Sequence, residues 1–139
     1  MTTTTFLTFV GDNCGKAEEA INFYISIFPN SEIKNITKYS QGEPGGAPEL
    51  VKQAVFTLNG VKYLASENNY KHAWTFSPGV SILVECDSEE ETQTFFDKLS
   101  SDGGLVMVPL ADYSEYGWGK KFGWCQDKYG ISWQLKFSE

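Results

Sequence analysis

The feature that most constrains this chain is a repeated order of elements. Glu18-Glu19 and Phe23-Tyr24 precede Glu90-Glu91 and Phe95-Phe96 by 72 positions, and Gly60-Val61-Lys62-Tyr63 precedes Gly130-Ile131-Ser132-Trp133 by 70. Self-similarity at a nearly fixed offset is what internal duplication leaves behind. A chance match of short acidic-aromatic segments is the alternative, and the element order around each segment decides between them. In the first half, residues 5–10 read as a strand ended by Gly11-Asp12-Asn13. Ala17, Ala20, Ile21, Tyr24 and Phe28 then recur at helical spacing until Pro29-Asn30. Ile33 to Tyr39 follow as a strand, and Gly42 to Pro48 as a loop. Residues 50–58 and 61–66 flank Asn59-Gly60, a strong hairpin signal.

After a polar and aromatic connector, residues 68–78, the order restarts. Val80 to Cys86 read as a strand, and Ser88 with Glu91 forms a capping box ahead of Phe95, Phe96 and Leu99. Asp102-Gly103-Gly104 closes that helix, and residues 105–110, 119–126 and 131–137 complete three strands. The expectation is an α+β chain of one domain, 1–139, made of two tandem βαβββ modules at 5–67 and 79–137.

Ten Phe, seven Tyr and four Trp supply enough apolar surface for such a domain without disulfides. Three cysteines, Cys14, Cys86 and Cys125, are odd in number and show no CxxC spacing, which fits free thiols in a reducing compartment. Eighteen acidic against eleven basic side chains leave a formal charge of −7. The one dibasic step is Lys120-Lys121, so the cationic cluster that neutralises phosphates is missing and a nucleic-acid partner is excluded. Met1 and the four Thr after it lack the basic start and apolar run of a signal peptide. No apolar stretch approaches the roughly 20 residues that span a bilayer. A cytoplasmic protein with no membrane partner is expected.

Three segments carry a family resemblance. Phe9 to Cys14 followed by Ala17 to Tyr24, the turn Phe28-Pro29-Asn30-Ser31, and the hairpin Asp127 to Gln134 are similar to the PhnB-like branch of the vicinal-oxygen-chelate (glyoxalase/bleomycin-resistance) superfamily. Asp12 and Gly15-Lys16 look like extra residues relative to that pattern. The resemblance implies that each βαβββ module curls into half of a cupped mixed sheet, that the cup holds a small-molecule ligand, and that the chain forms a homodimer. This branch is often described as a 3-demethylubiquinone-9 3-methyltransferase domain. A methyltransferase normally holds S-adenosylmethionine on a glycine-rich loop between a strand and a helix. Gly42-Glu43-Pro44-Gly45-Gly46 is the one candidate, and residues 50–58 after it read as a strand.

The resemblance also implies where a divalent metal would sit in members that bind one, with a His, Glu or Gln on the first and last strand of each module. Residues 1–10 and 79–84 contain none of these. Four residues past each hairpin glycine stand Leu64 and Gln134. Glu67 is an odd step from Leu64 and Glu85 an odd step from Val80, so alternation turns both away. No metal and no cofactor are expected. The single His72 lies in the connector, where it reads as a surface-bonded residue or as a base. Cys14, between a glycine turn and a helix, reads as a packed thiol or as one whose pKa the helix dipole lowers. No catalytic constellation is visible.

Alternation points Leu64 and Ser66 on one closing strand, and Ser132 and Gln134 on the other, into the cup, leaving Tyr63, Trp133 and Leu135 for the core. Tyr116, Trp118, Phe122 and Trp124 share one parity. That stripe could pave a ligand pocket, fill a core or cover a dimer interface. The proposed ligand-binding set is therefore Leu64, Ser66, Tyr116, Trp118, Phe122, Ser132 and Gln134. Three readings stand: a metal-free small-molecule-binding protein, an enzyme acting on a small metabolite, and a structural or regulatory dimer with a filled cup.

Overall fold

The computed structural model describes residues 1–139. Its elements run β1 (Thr5–Phe9), α1 (Ala17–Ile27), β2 (Glu32–Lys38), β3 (Val51–Leu58), β4 (Val61–Glu67), β5 (Ser81–Glu85), α2 (Glu89–Leu99), β6 (Leu105–Ala111), β7 (Lys121–Gln126) and β8 (Ser132–Phe137). Short 3-10 turns occupy Gly11–Asn13 and Ser114–Tyr116. The chain divides into two compact units, Met1–Thr75 and Phe76–Glu139. Each is a four-stranded mixed sheet with one helix. The strand orders are β1-β4-β3-β2 and β5-β8-β7-β6, and in each sheet the first strand pairs in parallel with the last. The two units therefore share one topology as well as one element order.

In the first unit, α1 buries Ala17, Ala20, Ile21, Tyr24 and Ile27, the 3.6-residue stripe of an amphipathic helix. They cover the sheet face that carries Phe9, Ala54, Phe56 and Ala65, all fully buried. The opposite face bears Phe6 and Thr8 of β1, in register with Leu64 and Ser66 of β4. Asn59 and Gly60 take φ of 50° and 78°, the paired left-handed conformation that a two-residue hairpin demands.

No side chain of its own caps the start of α1. Glu67, 2% exposed at the end of β4, does that work instead. Its Oε2 accepts the Ala17 N–H at 3.0 Å and its Oε1 accepts the Val51 N–H at 2.7 Å. The Tyr39 hydroxyl donates to the Glu67 carbonyl at 2.7 Å. One carboxylate thus joins the first turn of the helix to the first residue of β3.

The second unit repeats the plan with different fastenings. Ser88 Oγ accepts the Glu91 N–H at 3.0 Å, and the Glu91 carboxylate accepts the Asp87 N–H at 2.9 Å. The capping serine is the one read from the sequence; the returning carboxylate reaches one residue further back. Phe95, Phe96 and Leu99 of α2 lie against β7 and β8. Gly123 in β7 is required there, since a Cβ on it would come within 2.6 Å of the Phe96 ring and 2.9 Å of Leu110. Asp127, 3% exposed, organises the β7–β8 turn. Its Oδ1 accepts the Tyr129 N–H at 2.8 Å and the Ile131 N–H at 3.1 Å, and its Oδ2 accepts the Trp133 indole N–H at 2.9 Å.

Removing the first of these carboxylates strands two buried N–H groups. Glu67→Ala is expected to destabilise the protein by about 2–4 kcal/mol, read as a lower midpoint in urea with an unchanged slope. Glu67→Gln, which keeps one acceptor oxygen, should lose less.

Candidate functional site: an aromatic pocket on the second sheet

On the face of the second sheet away from α2, Trp124 of β7 lies opposite Gln134 of β8, and Phe122 opposite Lys136. The segment joining β6 to β7 folds back over this face. Asp112 Oδ1 accepts from the Ser114 N–H at 2.9 Å and from its hydroxyl at 2.6 Å, which tightens the Ser114–Tyr116 turn. Gly117 closes it at φ 80°. The Tyr113 N–H reaches the Gly119 carbonyl at 3.0 Å, and the Trp118 N–H reaches the Tyr113 carbonyl at 3.2 Å. This folding sets Tyr113, Tyr116 and Trp118 beside Phe122 and Trp124 around a concavity of about 410 Å³, completed by Val108 and Gln134. That volume is in the range of small-ligand sites.

Phe122, 5% exposed, forms the floor. The Trp118 ring leans on it at 5.2 Å, and the Tyr113 ring meets it edge-on at 6.1 Å. Trp118 and Tyr116, 53% and 69% exposed, make the rim. A hydrogen-bonded chain fixes the polar side. Ser132 Oγ accepts the Trp124 indole N–H at 2.7 Å and lies 2.7 Å from Ser81 Oγ, which accepts from Gln134 Nε2 at 3.3 Å. The Tyr113 hydroxyl donates to the Pro109 carbonyl at 2.9 Å.

Four of the seven residues proposed from the sequence, Tyr116, Trp118, Phe122 and Gln134, therefore meet in one pocket. Trp124 joins them, as its parity indicated. Ser132 is buried, at 2% exposure, and supports Trp124 from beneath without lining the space. Leu64 and Ser66 are half-buried on the helix-free face of the first unit, and the pocket is built wholly from the second. Two liners, Val108 and Tyr113, were missed. The reason is the extent of β7, which begins at Lys121, so Tyr116 and Trp118 reach the pocket from a loop and not by strand alternation. Gly117 and Gly119, at φ 80° and 122°, were the signal that no strand runs there.

The residues present do not fit a divalent metal. On the first unit the helix-free face of β1 and β4 offers Phe6, Thr8, Leu64 and Ser66. On the second it offers Ser81, Leu83, Ser132 and Gln134, together with Glu85 opposite Lys136. The placement of Glu85 corrects the expectation from Val80: the register of β5 puts it on the same face as Gln134. One carboxylate beside an ammonium and one amide fall short of a ligand set, and no three His, Cys, Asp or Glu residues gather anywhere. S-adenosylmethionine finds no fit on the glycine-rich segment either. Gly42–Gly46 lies between β2 and β3, antiparallel neighbours, and no helix follows it.

His72 Nε2 bonds to Asn68 Oδ1 at 3.1 Å and its ring rests 4.4 Å from Trp74, a surface arrangement. Burial and the nearby Glu67 carboxylate push the Cys14 thiol above its ordinary pKa, against a smaller lowering from the Asn68 backbone. The dipole of α1 does not activate it. Burial raises Cys86 as well, and Cys125, beside Asp127, is pushed up to about 12.

The paired βαβββ units define a protein of the glyoxalase/bleomycin-resistance type, and solved structures agree. A glyoxylase/bleomycin resistance protein/dioxygenase domain from Frankia sp. EAN1pec matches with a TM-score of 0.64 at 11% identity, covering 100% of this chain and 99% of that one. Protein PA1353 from Pseudomonas aeruginosa matches with a TM-score of 0.80 at 22% identity, covering 99% and 98%. A putative 3-demethylubiquinone-9 3-methyltransferase, PhnB protein, from Bacillus cereus is 44% identical, with a TM-score of 0.86 over 99% of this chain and 100% of that one. The sequence model of the family described as 3-demethylubiquinone-9 3-methyltransferase matches residues 1–136. The chain belongs to that PhnB-like family. A search of curated proteins finds no match. No helix is long and apolar enough to cross a membrane.

With every thiol pKa raised, thiol reagents should act slowly. At pH 8 a disulfide reagent is expected to modify half-buried Cys14 first, below the rate of a free thiol, and Cys86 and Cys125 only after denaturant is added. Peptide mapping of the labelled protein checks the order.

Proposed function

We propose that this protein binds a small aromatic or amphipathic molecule in the pocket of its second unit, without a metal ion. The observation that supports this is the gathering of five aromatic rings and one amide around an open concavity of about 410 Å³. Large apolar rings at 53% and 69% exposure cost solvation free energy unless something covers them. Rings that stack a ligand recover it, and a single amide can orient what is stacked. No His, Cys, Asp, Glu or Lys lines the space, so proton transfer or nucleophilic attack on a bound molecule would have to use a tyrosine hydroxyl. That weighs against the enzyme reading, including the methyl transfer in the family's description. The filled-cup reading is weighed down by the open volume itself. The family resemblance supports a homodimer, and three free cysteines support a reducing, cytoplasmic setting.

Trp118 and Trp124 report on the site from within it. Titration with a panel of planar aromatic compounds should shift or quench tryptophan emission with at least one of them, and Trp118→Ala should weaken that binding by about tenfold or more. A panel that leaves the emission unmoved would overturn the proposal. Elemental analysis of the purified protein should find no stoichiometric divalent ion; one per chain would contradict the metal-free reading.

A further inference from the structure

Resting on the binding reading above, we infer that the pocket takes an organic ammonium ion, an amine protonated at neutral pH and carrying an apolar arm. The lining decides between charge types. An anion needs converging donors or a fixed cation. Three donors of the pocket are engaged, and the Tyr116 hydroxyl and Trp118 indole N–H sit on exposed rim residues with no cationic side chain beside them in the lining. The Trp124 N–H goes to Ser132, the Tyr113 hydroxyl goes to the Pro109 carbonyl, and the Gln134 amide nitrogen donates to Ser81. The chain contains no arginine at all, its eleven basic residues being lysines, so the planar fork that grips carboxylates and phosphates is missing. Besides those two rim donors, the lining offers a ligand the amide oxygen of Gln134 and the faces of Tyr113, Tyr116, Trp118, Phe122 and Trp124. An amide oxygen accepts from N–H, and ring faces carry the negative lobe of the aromatic quadrupole. An ammonium group with one N–H satisfies both at once.

Charges near the site agree. The loop that brings in three of the rings also carries Asp112 and Glu115, against Lys120 at its end. Glu85 and Lys136 face each other in register on the sheet beside Phe122. No lysine lines the pocket, so its aromatic faces hold no resident cation. Over longer range the formal charge of −7 draws cations toward the protein.

The test compares two probes of equal shape on the full chain at pH 7 and low salt, by calorimetry and tryptophan emission. One is the benzyldimethylammonium ion, the other its uncharged carbon counterpart, isobutylbenzene. The cation should bind about tenfold tighter. Trp118→Leu, an apolar substitution on the exposed rim, and Gln134→Leu should each lower binding of the cation more than binding of the hydrocarbon, and so narrow that preference severalfold. Equal or tighter binding of isobutylbenzene by the unaltered protein overturns the charge assignment and leaves a purely apolar pocket. A preference for the cation that neither Trp118→Leu nor Gln134→Leu diminishes also overturns it, because neither the ring faces nor the amide oxygen would be its source. Failure of both probes, with tryptophan emission unmoved, would overturn the inference together with the binding reading beneath it.

Discussion

A buried carboxylate in each unit, bonded to N–H groups, is what the rest of this structure leans on. Glu67 and Asp127 are 2% and 3% exposed, and each accepts backbone N–H groups, Glu67 through both carboxylate oxygens and Asp127 through Oδ1. Leaving such a group unbonded in an apolar interior is costly, so the chain segments that supply the N–H groups must stay in place. Glu67 holds Ala17 and Val51, and so the seat of α1 on its sheet. Asp127 holds the β7–β8 turn and the Trp133 indole. With Trp133 fixed on the helix side, the next residue of β8, Gln134, must point the other way. The polar side of the pocket is thus a consequence of an anchor on the opposite face of the same strand.

Much of this was readable in the sequence because it depends on periodicity. The spacing of Ala17, Ala20, Ile21 and Tyr24, the Asn59-Gly60 turn and the Ser88 cap are local signals, and local signals survive into the fold. Parity within β8 likewise puts Ser132 and Gln134 on the helix-free face, where Gln134 reaches the pocket and Ser132 does not. Two kinds of information were out of reach. Glu67 reads as one more carboxylate at the end of a strand, and its role comes from backbone donors 50 and 16 residues away. The pocket loop was also opaque, since Tyr113, Tyr116 and Trp118 converge through a 3-10 turn and two left-handed glycines, which no two-residue alternation describes. Glu85 shows the converse hazard. Counting from Val80, a residue outside β5, gave a sound rule a wrong origin.

The two units make a controlled comparison inside one chain. In register, Val55 beside Leu64 in the first occupies the place of Trp124 beside Gln134 in the second. The connections preceding those strands differ as well. That between β2 and β3 is pinned to its own unit, with Tyr39 donating to the Glu67 carbonyl and the Asn69 N–H reaching the Gly45 carbonyl at 2.9 Å. That between β6 and β7 turns its rings onto the helix-free sheet face. The two units therefore share one topology, and the second differs from the first at this face in its loop and in strand residues that include Phe122, Trp124 and Gln134.

The separation of the two faces of β7 and β8 has an evolutionary consequence. Cys125, Trp133 and Leu135 hold the framework from one side, while the pocket draws on side chains from the other and on a solvent-facing connection. Substitutions in that connection can therefore reshape the concavity while the residues that keep the chain folded stay in place.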